Sequence, residues 1–311
     1  MCQPLIVILG PTASGKTTLG IELARKFNGE IISADSRQVY QGLDLGSAKV
    51  ENIKPKQRTY FQRKMGYCLA QNVPHWLIDV IDLKKEIFSA GEFRKMADKV
   101  IADIAKRKKL PFLVGGSMLY IDAVVSGFSF APPVSAKIRK DLAKKETDEL
   151  KKMLFQLDPY AYKKIDLKNR RRIERALEVK IATGKSILEF QKKRKKYGTL
   201  KLGIHLPRKK LYRQIDKRVD ERMGQGMLEE VKELLNKGVS AQKLISLGLE
   251  YRYLTQYLIG EIPDLEEAVR ALKGAIHRFV RRQLTWWRKD KEIIWIKNKR
   301  EAVGEIRNFL S

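Results

Sequence analysis

Short apolar runs alternating with helical periodicity dominate the first 125 residues. Residues 5–9 (LIVIL) form an unbroken apolar run, the pattern of a strand buried on both faces. Leu19, Leu23 and Phe27 recur at helical spacing and predict a helix over residues 16–27. Further strands are predicted over residues 30–33, 76–81 and 111–114. Ser89-Ala90-Gly91-Glu92 reads as a capping box, opening a helix that carries Phe93, Ala97, Val100 and Ile104 on one face. Strands alternating with helices predict a parallel sheet covered on both faces. Residues 126–199 hold no strand pattern and read as helices. Beyond residue 200 the pattern is again helical, apart from strand-like stretches at 202–206 and 293–296. The last long helix carries Val269, Leu272, Ile276, Phe279, Val280 and Leu284 on one face. That stripe runs into Trp286 and Trp287, which are therefore expected in the core.

Composition narrows the class. With 43% hydrophobic residues the chain can build a real core, and no apolar run approaches the ~18 residues of a membrane span. The first apolar stretch is too short for a signal peptide. Two cysteines, Cys2 and Cys68, exclude a disulfide scaffold and a four-cysteine zinc site, and a reducing cytoplasm is the expected location. The net charge of +28 is unevenly spread. Residues 1–125 carry 19 basic and 12 acidic residues, residues 126–199 carry 21 and 9, and residues 200–311 carry 24 and 15. Concentration in the middle segment favours a surface for a polyanion over a uniform bias. Lys168, Arg170, Arg171, Arg172 and Arg175 cluster there, and Lys192 through Lys196 is an unbroken basic run.

Gly10-Pro11-Thr12-Ala13-Ser14-Gly15-Lys16-Thr17 fits G-x-x-x-x-G-K-[ST], between a strand and a helix as that motif requires. Its glycines let the backbone curl so that amides at a helix N-terminus meet phosphate oxygens. Lys16 adds a point charge, and the Thr17 hydroxyl is a candidate Mg²⁺ ligand. The expected fold class is thus α/β, a P-loop NTPase-like parallel sheet flanked by helices, with a helical insertion. Residues 1–125 and 200–311 would form the core and residues 126–199 the insertion. The loop specifies a diphosphate or triphosphate without specifying ATP. Asp79 or Asp82 could supply a metal-binding acid after an apolar strand, or could simply cap a turn. Asp35 ends the second predicted strand, and in an open parallel sheet ligands sit at such ends. It is a candidate base, metal ligand or helix cap.

Residues 10–17, with Ser33-Ala34-Asp35-Ser36-Arg37-Gln38-Val39-Tyr40 and Gly42-Leu43-Asp44-Leu45-Gly46-Ser47-Ala48-Lys49, closely resemble the tRNA dimethylallyltransferase (tRNA isopentenyltransferase) family. Val73-Pro74-His75, Val114-Gly115-Gly116, Arg175-Ala176-Leu177-Glu178-Val179 and Arg282-Gln283-Leu284-Thr285-Trp286 extend the resemblance over nearly the whole chain, in the family's order.

The resemblance implies transfer of a dimethylallyl group from dimethylallyl diphosphate to N6 of the adenosine 3′ to the anticodon, in tRNAs reading codons that start with U. It implies that Asp35 is the base, that Lys16, Thr17 and Arg218 hold the diphosphate with Mg²⁺, and that Asp35, Ser36, Arg37 and Gln38 receive the extruded adenine. Ser117, Arg139, Arg171 and Arg172 match further tRNA-contact positions, and residues 126–199 become an arm clasping the anticodon stem-loop. A cytoplasmic monomer of the bacterial type, lacking the zinc finger of eukaryotic relatives, is expected.

The chain departs from the family at Ser117, where threonine is usual, at Trp76, where a second histidine is usual, and around Leu247-Gly248-Leu249-Glu250-Tyr251 and His277-Arg278. Competing readings are an adenylate isopentenyltransferase, a P-loop kinase or ATPase, and an RNA-binding module using the loop only as a clamp.

Overall fold

The computed structural model describes residues 2–50, 54–60, 63–83, 88–128, 130–132, 134–190 and 194–311, with side chains described for all of these except 54–60 and 63–65. Lys192 and Lys193 of the basic run lie outside the described residues.

Eight strands form one sheet: β1 (Pro4–Leu9), β2 (Gly29–Ala34), β3 (Lys54–Tyr60), β4 (Arg63–Ala70), β5 (Val73–Trp76), β6 (Leu110–Gly115), β7 (Gly198–Ile204) and β8 (Ile293–Ile296). Their spatial order is β3-β4-β5-β2-β6-β1-β7-β8. The run from β5 to β8 is parallel, and β3 and β4 extend one edge as an antiparallel hairpin. In β1 successive side chains serve opposite faces, as strand geometry demands. Leu5, Val7 and Leu9 join one core while Ile6 and Ile8 join the other. Both faces are therefore covered, as the alternating pattern predicts.

The helices are α1 (Lys16–Lys26), α2 (Ala90–Lys106), α3 (Met118–Val125), α4 (Ala136–Ala143), α5 (Thr147–Leu157), α6 (Pro159–Lys164), α7 (Arg170–Thr183), α8 (Arg208–Gly224), α9 (Met227–Asn236), α10 (Ala241–Leu247), α11 (Leu249–Leu258), α12 (Leu265–Trp287) and α13 (Lys299–Leu310). The Ser89 capping box opens α2 with both reciprocal bonds formed. Among the described residues, no helix is long and apolar enough to cross a membrane.

The chain divides into two compact units, Met1–Val125 with Lys196–Ser311, and Ser126–Lys195. The second unit holds α4 to α7 around its own small core of Leu142, Leu150, Leu154, Ala161, Ile173, Ala176 and Leu177.

Two expectations are corrected, and one element was not expected. The strand expected over 76–81 is β5, ending at Trp76. Leu77 and Asp79 take left-handed backbone angles of 65° and 55°, so the chain cannot stay extended there. Leu77 and Ile78 are buried all the same, so the apolar run marked burial and not extension. The β3–β4 hairpin was not anticipated, because its polar sequence lacks apolar alternation. Trp287 is 2% exposed but Trp286 is 42% exposed. Adjacent helical residues project about 100° apart, so one stripe cannot take both.

Candidate active site

The phosphate loop links β1 to α1. Ala13 and Gly15 take φ of 60° and 84°, the left-handed steps that let successive amides converge on an anion. Gly15 caps α1 without a side-chain hydrogen bond, so the amides of the first turn remain for a ligand. From α12, the buried Gln283 ties the loop down: its Oε1 accepts from the Thr12 amide at 3.3 Å and its Nε2 donates to the Gly116 carbonyl at 2.8 Å.

Lys16 Nζ donates to the Pro11 carbonyl at 2.6 Å. Burial, reinforced by the Arg218 guanidinium and opposed by Asp35, draws its pKa down to about 7. Arg218, on α8, is also pulled down by burial, against the attraction of Glu250 and Asp35. Two cations thus crowd one desolvated spot, an arrangement that an anion would relieve.

Asp35 follows the last residue of β2. Its Oδ1 accepts from the Arg37 amide at 2.8 Å, an Asx turn that fixes the carboxylate. Of the three sequence readings, the helix cap fails, because a turn and not a helix follows. The next amide, of Ser36, donates to Ser117 Oγ at 2.8 Å, while the Ser117 amide donates to the Ala34 carbonyl at 3.1 Å. Gln38 is engaged internally: Nε2 donates to the Ser47 and Ala48 carbonyls at 3.3 and 3.0 Å, and Oε1 accepts from Ser33 Oγ at 2.8 Å.

The wall formed by residues 44–48 is held from α9. Glu230 accepts from the amides of Asp44, Leu45 and Gly46 at 3.1, 2.6 and 3.2 Å, and from the Tyr251 hydroxyl at 2.8 Å. A Cβ on Gly46 would stand 2.6 Å from the Tyr251 ring, so glycine is required by close approach. Lys49 completes the loop, pairing with Asp79 and with Asp44 and donating to the Tyr40 carbonyl.

These elements enclose a cleft of about 330 Å³, where Thr12, Lys16, Thr17, Asp35, Ser36, Arg37, Gln38, Ser117 and Arg218 come together. Gly10, Pro11, Ala13, Ser14 and Gly15 supply the loop backbone beside it. Asp79 and Asp82 are not among the residues that line the cleft, and Asp79 pairs with Lys49. Arg139, Arg171 and Arg172 belong to the Ser126–Lys195 unit. There Arg139 pairs with Glu178 at 3.3 Å, and Arg171 and Arg172 are exposed on α7.

Other residues of the cleft and its walls were assigned no role from the sequence, although His75 and Gln283 fall in family-like stretches. Gln283 and Glu230 act on loops far away in the sequence. Glu250 lines the cleft near Arg218 and Arg222, and burial raises its pKa against the pull of those arginines. His75, only 2% exposed, meets the Val73 carbonyl through Nδ1 at 2.9 Å. A carbonyl can only accept, so Nδ1 carries the hydrogen and Nε2 is an acceptor; it has no partner among the described residues. Burial, which outweighs that hydrogen bond, lowers the imidazole's pKa and favours its neutral form.

The IPP transferase family model matches residues 38–290. The tRNA dimethylallyltransferase of Halothermothrix orenii is 41% identical over 300 residues, covering 94% of this chain and 86% of the relative. The crystal structure of the full-length tRNA isopentenylpyrophosphate transferase of Bacillus halodurans superposes with a TM-score of 0.69 at 34% identity, covering 99% of this chain and 95% of that one. A eukaryotic dimethylallyltransferase, captured in crystallographic snapshots of its action on tRNA, superposes with a TM-score of 0.74 at 26% identity, covering 95% and 74%. With the family model spanning most of its length and relatives this similar from end to end, the chain belongs to the IPP transferase family.

Proposed function

We propose that this chain transfers a dimethylallyl group from dimethylallyl diphosphate to N6 of the adenosine 3′-adjacent to the anticodon, in tRNAs reading codons that start with U. The observation that carries the reading is the convergence of a phosphate loop, Arg218 and Asp35 on one cleft. A new bond forms between N6 and C1 of the prenyl group, the C1–O bond breaks, and the diphosphate leaves with the bonding pair. N6 gives up one proton, and Asp35 takes it. That amine needs a base because its lone pair is delocalised into the ring. Lys16, Arg218 and the loop amides bind the diphosphate and stabilise the charge that grows on it. Ser117 and the turn at residues 35–37 hold the carboxylate in place, and residues 35–38 receive the adenine.

Among the described residues, no group of three or more His, Cys, Asp or Glu side chains could hold a metal ion by itself. The hydroxyl of Thr17 on the cleft wall does suit Mg²⁺, which binds through few protein oxygens when substrate phosphates and water supply the rest. Thr17 would hold it, and the ion would neutralise charge on the departing diphosphate.

The insertion is read as an arm on the anticodon stem-loop, supported by its 21 basic against 9 acidic residues. The same concentration of charge favours polymeric RNA over a free adenylate acceptor. The protein acts as a monomer in the cytoplasm.

The test is incubation with dimethylallyl diphosphate and tRNA, with dimethylallyl diphosphate and AMP, or with ATP alone, followed by mass analysis. A 68-Da gain on tRNA, about the mass of C5H8, is expected. Prenylated AMP or tRNA-independent ATP hydrolysis would support the rival readings. Asp35→Ala should lower turnover by about 10²-fold with little change in tRNA affinity. Near-normal turnover would remove Asp35 from the role of base.

A further inference from the structure

On α12, Phe279, Arg282 and Trp286 follow at spacings of three and four residues and so share one helix face. The first two line the cleft, and Arg282 lies over the Phe279 ring at 5.9 Å. Trp286 stands one turn farther along and is 42% exposed, the exposed member of a pair whose neighbour Trp287 is buried. Its indole is not loose: Nε1 donates to Asp122 Oδ2 on α3 at 3.0 Å. One turn before Asp122, on the same side of α3, Leu119 is 54% exposed. An oriented indole thus lies one turn beyond the cleft-lining Arg282, and an exposed leucine lies one turn from the indole's hydrogen-bond partner. Arg281, Arg282 and Arg288 around Trp286 are all exposed.

A large apolar side chain held open by a hydrogen bond, one turn beyond the cleft lining and framed by arginines, suits a flat, apolar-faced ligand attached to an anionic backbone. An unpaired nucleobase has that chemistry, because bases stack on aromatic rings and guanidinium planes while arginines take the phosphates. We propose that Trp286, with Leu119, is a stacking platform for a nucleotide next to the target adenosine, so that the base entering the cleft and its neighbour are held by one helix face. The proposal rests on the tRNA reading above and assigns Trp286 a role in RNA binding, not in the chemistry.

The experiment uses the full chain and unmodified tRNA. Affinity is measured by filter binding, and steady-state constants are measured for both substrates. Trp286→Ala should weaken tRNA binding about tenfold, in the range found for lost base–aromatic stacking, while Trp286→Phe keeps most of the affinity. The KM for dimethylallyl diphosphate should not move, and the salt dependence of binding should keep its slope, since stacking releases no counterions. Anticodon stem-loops with an abasic site on either side of the target should locate the partner. At the correct position the wild type loses the same affinity, and Trp286→Ala costs nothing more.

Equal tRNA affinity in wild type and Trp286→Ala would overturn the platform, as would a loss that is the same on every abasic RNA. A change in self-association without a change in RNA affinity would overturn it in favour of a protein interface. Binding is read independently of turnover. Trp286-dependent binding without prenyl transfer would therefore sink the functional reading and leave the platform standing.

Discussion

Lys16 offers the most quantitative test of the site, because its charge should be lost within an accessible pH range. Its pKa is drawn down to about 7 by burial and by Arg218, against Asp35. A diphosphate in the loop would favour the charged ammonium and restore the proton. The sign follows: the free protein loses the Lys16 proton as pH rises through about 7, so donor binding must weaken above that point and must take up a proton. If only the protonated form binds, apparent affinity scales with the protonated fraction, ~0.9 at pH 6, ~0.1 at pH 8 and ~0.01 at pH 9. Affinity should therefore fall about tenfold from pH 6 to 8 and about a hundredfold to pH 9, the slope reaching ~1.4 kcal/mol per pH unit only above pH ~8. The last proton of a phosphate group leaves near pH ~6, so the range above 7 isolates the lysine.

Titration calorimetry of dimethylallyl diphosphate binding, in two buffers of different ionisation enthalpy, reads the proton directly. Uptake should approach ~0.9 proton at pH 8. Lys16→Met should bind more weakly with no such pH dependence, and Lys16→Arg should flatten the profile without the same loss. Flat affinity between pH 7 and 9 in the wild type, or a slope that persists in Lys16→Met, would refute the argument that burial and Arg218 destabilise this cation.

Further predictions concern the frame around the site. Glu230→Gln turns part of its acceptor surface into a donor facing the amides of residues 44–46, and should cost about 2–4 kcal/mol; an unchanged melting temperature would show that the clasp is not needed. Gly46→Ala forces a Cβ to within 2.6 Å of Tyr251 and should cost about 1–3 kcal/mol with a raised KM for tRNA, measured by chemical denaturation and kinetics. Burial alone would raise the Glu30 pKa, but hydrogen bonds from Arg107, Lys109 and Trp76 together bring it down to about 2. Its stabilisation of about 3 kcal/mol should be complete above pH 4.5 and lost as pH falls toward 2, and denaturation of Glu30→Gln across that range should lack this loss. Neutralising Lys192 to Lys196 should flatten the salt dependence of tRNA binding and weaken different tRNAs equally, leaving donor binding intact; an unchanged slope would make that run surface decoration.

What could be read from the chain alone was what depends on contiguous residues. The phosphate loop was legible because eight successive residues set both its backbone and its charge. The central strands β1 and β6 were legible because burial on both faces leaves an apolar run, whereas β2 shows only Ile31 and Ile32 between the buried Glu30 and Ser33. Asp35 stood out because a parallel sheet presents its ligands at strand ends, while Arg218 was chosen through the family resemblance. Only the tertiary structure decided which distant groups complete the site. Gln283 reaches the loop from 271 residues away, and Glu230 reaches residues 44–46 across 184 or more; Gln283 falls in a family-like stretch, but nothing local to either position names its partner. The edge hairpin β3–β4 was hidden because it is polar. The apolar residues after Trp76 misled because burial and extension give the same apolar run. Trp286 and Trp287 are the same residue type side by side, and only the helix's rotation against α3 separates a core side chain from an open one. Local sequence fixes backbone tendency and polarity, whereas the neighbours of a side chain are set by how the elements pack.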